Sequence, residues 1–218
     1  MKLIKDQIMK LSKCIVQMFF AAIMLQVLTF SKIVSAQDKP YLLKTLFKMK
    51  IEQTINPASL SHLNETIKKA KEVPNSGLLI QINTPGGLVS VTKKMITNIG
   101  ESNLPFIAVV GPEGASATSA GAILSAASHF LFMYPGTNIG AATPITIQKE
   151  MPKDSRDKAI NDLVALTTSL REARDKRDSS FASMITEAKS YSAKDALKLF
   201  ISDNTINNEQ DLTSLLHH

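Results

Sequence analysis

Two short apolar runs with an amphipathic stretch between them constrain this chain more than any other feature. Gly77 to Asn83 (GLLIQIN) and Pro105 to Val110 (PFIAVV) are of buried-strand type, and Val89 to Ile99 between them has helical spacing. Strand, helix, strand at this separation predicts a parallel βαβ unit, since parallel neighbours need a crossover connection. Upstream, Phe47, Met49 and Ile51 alternate with Lys48, Lys50 and Glu52, which predicts a half-exposed strand. Asn56-Pro57 then opens a helix whose Leu60, Leu63, Ile67 and Ala70 face inward, while Lys68, Lys69 and Lys71 face solvent. A small-residue helix over Ser119 to Ser128 precedes a third apolar run, Phe130 to Tyr134, and beyond Pro152 the pattern is mostly helical. The class is α/β. At 218 residues, 44% of them hydrophobic, the chain has room for one domain with a sizeable core. Parallel units carry their functional loops at the carboxyl ends of the strands, so chemistry is expected after Asn83 and after Val110.

The formal charge of +6 raises the question of a nucleic-acid partner, and its distribution argues against one. Lys2, Lys5, Lys10, Lys13 and Lys32 lie in the first 36 residues against Asp6 alone, which leaves the remainder nearly neutral. That basic start, the apolar run from Cys14 to Phe30 and the small residues of Val34-Ser35-Ala36 read as an export signal over residues 1–36. Cleavage after Ala36 is expected, leaving a domain over residues 37–218. An uncleaved anchor is the alternative, and either one moves the body out of the cytoplasm. Cys14 is the one cysteine, so the body has no disulfide, no cysteine nucleophile and no cysteine-based metal site.

Asn83-Thr84-Pro85-Gly86-Gly87 is a sharp turn whose glycines let backbone N–H groups approach a ligand, although by itself it is also an ordinary strand-to-helix turn. The second loop, Gly111 to Gly121 (GPEGASATSAG), sets Ser116 and Ser119 among small residues, which leaves a hydroxyl accessible; close helix packing would use the same residues.

Taken together, the NTPGG turn, the SATSAG run from Ser116 to Gly121 and Pro135 to Pro144 (PGTNIGAATP) resemble, in order and spacing, the NfeD-type membrane-bound serine peptidases of the ClpP-like superfamily. The resemblance runs from about Lys50 to Asp203 and includes Ile55-Asn56-Pro57-Ala58. It implies a ClpP/crotonase-like fold of repeated β-β-α units and makes Ser119, of Ser119-Ala120-Gly121, the nucleophile, with Ser116 a packing residue. The oxyanion donors it implies are the backbone N–H groups of Gly87 and Ala120. It implies no cofactor and no metal.

A serine nucleophile needs a base, and His62, His129, His217 and His218 are poorly placed for it. The stretch where ClpP carries its histidine falls within Ile139 to Pro144, which holds none. His129 follows Ser119 by ten residues, too far along a continuous helix. The resemblance assigns the base instead to Lys158, in Lys158-Ala159-Ile160-Asn161, with Lys153 second. A lysine base has to be neutral, so Lys158 is expected to be buried under the apolar side of its helix near Ser119.

The chain departs from the family pattern in three places. Asn83 stands where the family usually has aspartate. Phe200 stands where relatives carry a helix-stopping glycine, so the last helix there is expected to end differently. The membrane helices and β-barrel of longer relatives have no counterpart up to His218.

The leading expectation is an extracytoplasmic endopeptidase that cuts apolar segments of membrane-associated proteins, with a stomatin-like partner implied and a homo-oligomer open. The alternative is a non-catalytic ClpP-like scaffold for such a partner. A crotonase-type acyl-CoA enzyme shares the fold, but no nucleotide contact is recognisable.

Overall fold

The computed structural model describes residues 43–145, 152–176 and 180–216, all within one compact unit, Leu42–His218. The expected signal segment, residues 1–36, lies outside the described residues, as do Cys14 and the cleavage site.

β1 (Thr45–Ile51) leads into α1 (Pro57–Lys71). Asn56 starts that helix: its side chain accepts from the N–H groups of Ala58 and Ser59, and Pro57 occupies the first turn, where an N–H would have no partner. β2 (Ser76–Ile82), α2 (Val89–Ser102) and β3 (Phe106–Val110) form the expected parallel crossover. The chain then alternates between two sheets: β3, β4 (Ser116–Thr118) and α3 (Ala120–Ser125), followed by β5 (Phe130–Met133), β6 (Asn138–Gly140) and α4 (Lys153–Glu172). Each unit sends one strand to a five-stranded parallel sheet, one to a small sheet, and then a helix. α5 (Ser180–Thr186), β7 (Ser190–Ser192), α6 (Ala193–Lys198), β8 (Asn204–Thr205) and α7 (Glu209–Leu216) complete the unit.

The large sheet runs β1-β2-β3-β5-β8 and the small one β4-β6-β7. Strand alternation divides the core. Leu78, Ile80, Ile82, Phe106, Ala108 and Val110 face the main core with Leu63, Met95, Ile99 and Ile123 from α1, α2 and α3. Leu79, Ile107, Val109 and Phe132 point the other way and are covered by Ile206 and by Leu212 of α7.

The structure corrects the sequence reading in two places here. The helix expected over Ser119 to Ser128 is shorter, Ala120–Ser125, because Ser119 is a turn residue outside it and the chain turns again at Ala126 and Ala127. Phe200 does not change how its helix ends. It adopts the left-handed conformation itself, φ +57°, with Ile201 N–H donating to Ala196 O (2.9 Å) and Phe200 N–H to Leu197 O (3.2 Å), the Schellman arrangement a glycine would make. The buried guanidinium of Arg171 holds it there, donating from Nη2 to Phe200 O (3.0 Å) and Ile201 O (3.3 Å).

Candidate active site

Thr84 locks the NTPGG turn. Its hydroxyl donates to Gln53 O (2.7 Å) and accepts from Gly86 N–H (3.2 Å), and its N–H donates to Ser116 O (2.7 Å), which ties the turn to β4. Asn83 helps: its Oδ1 accepts from Ser116 N–H (3.2 Å), so the uncharged side chain still supplies an acceptor. Gly87 lies flat on the backbone of Ile55, where an added Cβ would come within 2.3 Å of Ile55 O. Ile55 pairs with Gly86 O (2.8 Å) and Leu88 N–H (3.0 Å), the groups flanking Gly87, so the N–H of Gly87 points to the opposite edge.

Ser119 sits on that side. Its φ of +53° and ψ of −115° lie where L-residues are strained, and neighbours fix it: its N–H donates to Gly140 O (2.9 Å) and Thr118 N–H to Thr84 O (3.1 Å). Gly86 and Gly121 permit the approach. A Cβ on Gly86 would lie 2.8 Å from Ser119 Cβ, and one on Gly121 would lie 2.6 Å from Thr84 Cγ2. The Ser-x-Gly element is thus a packing requirement as well as a motif. Ser119 makes no side-chain cap hydrogen bond, and Ala120 N–H, at the first position of α3, has no earlier helical carbonyl to meet.

A groove of about 790 Å³ opens in front of Ser119, lined by Gly86, Gly87, Leu88, Thr118, Thr143, Pro144 and, from α4, Ala159, Asp162 and Leu163. Ala141 and Ala188 line it too, with φ of +48° and +52°. Two other positive-φ non-glycine residues thereby share one groove with the serine, as expected where surrounding structure imposes strain on a site.

The structure brings Ser119, Gly87 and the PGTNIGAATP segment together, but not Lys158. Lys158 is exposed and does not line the groove, which corrects the expectation that it lies under its helix. Lys158 precedes Ala159, the first residue of α4 at the groove, and stands about 140° round the axis from Leu163, the first buried residue of that helix. Lys153 is exposed as well. Ser116 is not the expected packing residue but a half-exposed polar hub, its Oγ 2.6 Å from both Thr118 Oγ1 and Asn138 Oδ1. His129 is not at the groove: its Nδ1 accepts from Phe106 N–H (3.0 Å), and burial, then the nearby Arg174 charge, push its pKa down to about 4.

Asp162 and Thr118 escaped the sequence reading. Asp162 lines the groove and pairs with Lys93 of α2. Its place three residues past Ala159 on a helical face was the signal available for it.

The family described as NfeD1b, N-terminal domain, matches residues 45–217. The chain belongs to that family. This NfeD1b domain is 30% identical over 162 residues to the membrane-bound protease PH1510 of Pyrococcus horikoshii, covering 73% of this chain and 37% of that one. It is 32% identical over 99 residues to the membrane protein NfeD1b of Bacillus subtilis, covering 45% and 22%. The chain thus spans well under half the length of these curated relatives. Among solved structures it resembles the 1510-N membrane-bound stomatin-specific protease in a lysine-to-alanine variant with a substrate peptide, at 28% identity and a TM-score of 0.70, covering 78% of this chain and 79% of that one. A serine-to-alanine variant of the same protease matches at 28% identity and a TM-score of 0.69, covering 78% and 83%. The NfeD1b domain described above has the ClpP-like α/β fold of that protease.

Proposed function

We propose that this domain is a serine-type endopeptidase with Ser119 as nucleophile, Lys158 as general base and the N–H groups of Gly87 and Ala120 as oxyanion donors. On this reading it is exported by residues 1–36 and cuts apolar segments of membrane-associated proteins, stomatin-like ones among them. The observation that carries it is Ser119 itself, held in a strained turn at the groove with Gly86 packed against it. The relatives support the chemistry. The serine and lysine replaced in the solved protease variants stand 41 positions apart in that chain, and Ser119 and Lys158 stand 39 apart here.

In the first step Ser119 Oγ attacks the scissile carbonyl carbon while its proton passes to a neutral lysine Nζ. The carbonyl oxygen becomes an oxyanion facing the two N–H groups, each worth about 10²- to 10³-fold in rate. The C–N bond then breaks, the ammonium returns its proton to the leaving amine, and water hydrolyses the acyl-enzyme by the same route. Lysine serves this cycle only when drawn out of water, which disfavours the ammonium. The reading therefore requires the first turns of α4 to bring Lys158 to the groove when substrate binds. Its neighbour Ala159 already lines it.

The exposure of Lys158 favours a second reading, a scaffold that binds an apolar partner segment and leaves the serine unused. A fluorophosphonate probe separates the two. Under the peptidase reading the probe labels Ser119, and Lys158→Ala and Lys158→Arg each lower turnover of an apolar peptide about a thousandfold while the fold is retained. Absence of labelling selects the scaffold. Labelling with full turnover in the Lys158 variants moves the base to another group, Lys153 first.

A further inference from the structure

Thr118 precedes the nucleophile and lines the groove, and its hydroxyl is committed in one direction. Ser116 Oγ donates its single proton to Asn138 Oδ1 at 2.6 Å, so its other contact, 2.6 Å to Thr118 Oγ1, must use the proton of Thr118. Strand pairing fixes the backbone of Ser116, with its N–H on Asn83 Oδ1 and its carbonyl on Thr84 N–H. Thr118 Oγ1 therefore has no proton left to give and keeps only lone pairs for an incoming donor.

We infer that Thr118 is a substrate-positioning residue, an obligate acceptor for one backbone N–H of a peptide lying in the groove beside Ser119. An extended peptide backbone supplies N–H donors whatever its side chains, so this contact fixes register without reading sequence. A hydroxyl free to rotate would serve a donor or an acceptor equally, and the chain Asn138–Ser116–Thr118 removes that freedom. The inference rests on the groove being a peptide site, as proposed above, and not on Lys158 being the base.

The test is binding, in full-length chain carrying Ser119→Ala so that nothing is cleaved. The probe is a short fluorescein-labelled peptide of leucine, valine and alanine with a lysine at each end, read by anisotropy. Thr118→Val, which keeps the branched shape on its strand, should weaken binding about tenfold, near the upper end for one neutral hydrogen bond, while Thr118→Ser should match the parent. Replacing the peptide's amides one at a time by esters should cost a similar factor at one position and nothing further there in Thr118→Val. Adding Ser116→Ala releases the Thr118 proton, and the hydroxyl should then donate to that ester and recover part of the loss. Peptide that binds Thr118→Val as well as the parent overturns the role of Thr118 and leaves the peptide groove standing. Peptide that binds no variant overturns both. An ester affinity unmoved by Ser116→Ala overturns the one-way commitment of the hydroxyl.

Discussion

Ser119 and Phe200 both hold backbone conformations that L-residues avoid, φ +53° and +57°, and in every other respect their surroundings differ. Ser119 is clamped by Gly140 O on one side and by Gly86, near enough that a single added methyl would collide, on the other. Phe200 is 80% exposed at a helix end, and its ring contributes nothing to the core. Its conformation depends instead on carbonyl contacts to Arg171, itself 1% exposed and set over the ring of Phe181 (5.1 Å). The contrast teaches that strain alone does not mark a site. At Ser119 many short backbone contacts converge on a residue whose hydroxyl is left unused, whereas at Phe200 a buried cation restrains a turn.

The largest effect should come from forcing open the glycine turn beside Ser119. Gly87→Ala would drive a Cβ into the backbone of Ile55, and neither segment can retreat without opening the turn, so a loss of about 3 kcal/mol is expected in denaturant unfolding. Unchanged stability would mean that the turn is softer than its contacts imply. Next comes Arg171→Met, which removes charged hydrogen bonds to two carbonyls while roughly filling the space; a loss of about 2 to 3 kcal/mol is expected, with Ser119 labelling in the folded fraction unaffected. If labelling falls with stability, the two turns are coupled and the comparison fails. The smallest effect has the opposite sign. Phe200→Gly relieves a left-handed side chain with no packing to lose and should stabilise by about 1 kcal/mol, raising Tm by about 3 °C in a scanning calorimeter. A lower Tm would show that the ring contributes to the fold.

Much of this was legible in the chain. Alternation gave β1, continuous apolar runs gave β2, β3 and β5, and the Asn-Pro start gave α1, because these signals come from local spacing and capping chemistry. The small sheet was not legible: β4, β6 and β7 are three residues each, too short for any period, and exist because the turns at Thr84 and Gly140 hold them together. Asp162 and Thr118 were missed for a related reason, since nothing within α4 or β4 says which of their residues will meet a groove made by other segments.

The sequence by itself determined the parallel crossover, the glycine turn and the serine set among small residues, all of which follow from backbone sterics acting over a few neighbours. Tertiary structure alone decided which way each group faces. Lys158 stays in solvent while Asp162, one turn further along α4, meets the groove, the guanidinium of Arg171 let a phenylalanine take the turn that relatives give to a glycine, and the bonds of Ser116 fixed the direction of Thr118's proton. Orientation depends on contacts between residues far apart in the chain, and no local period encodes it.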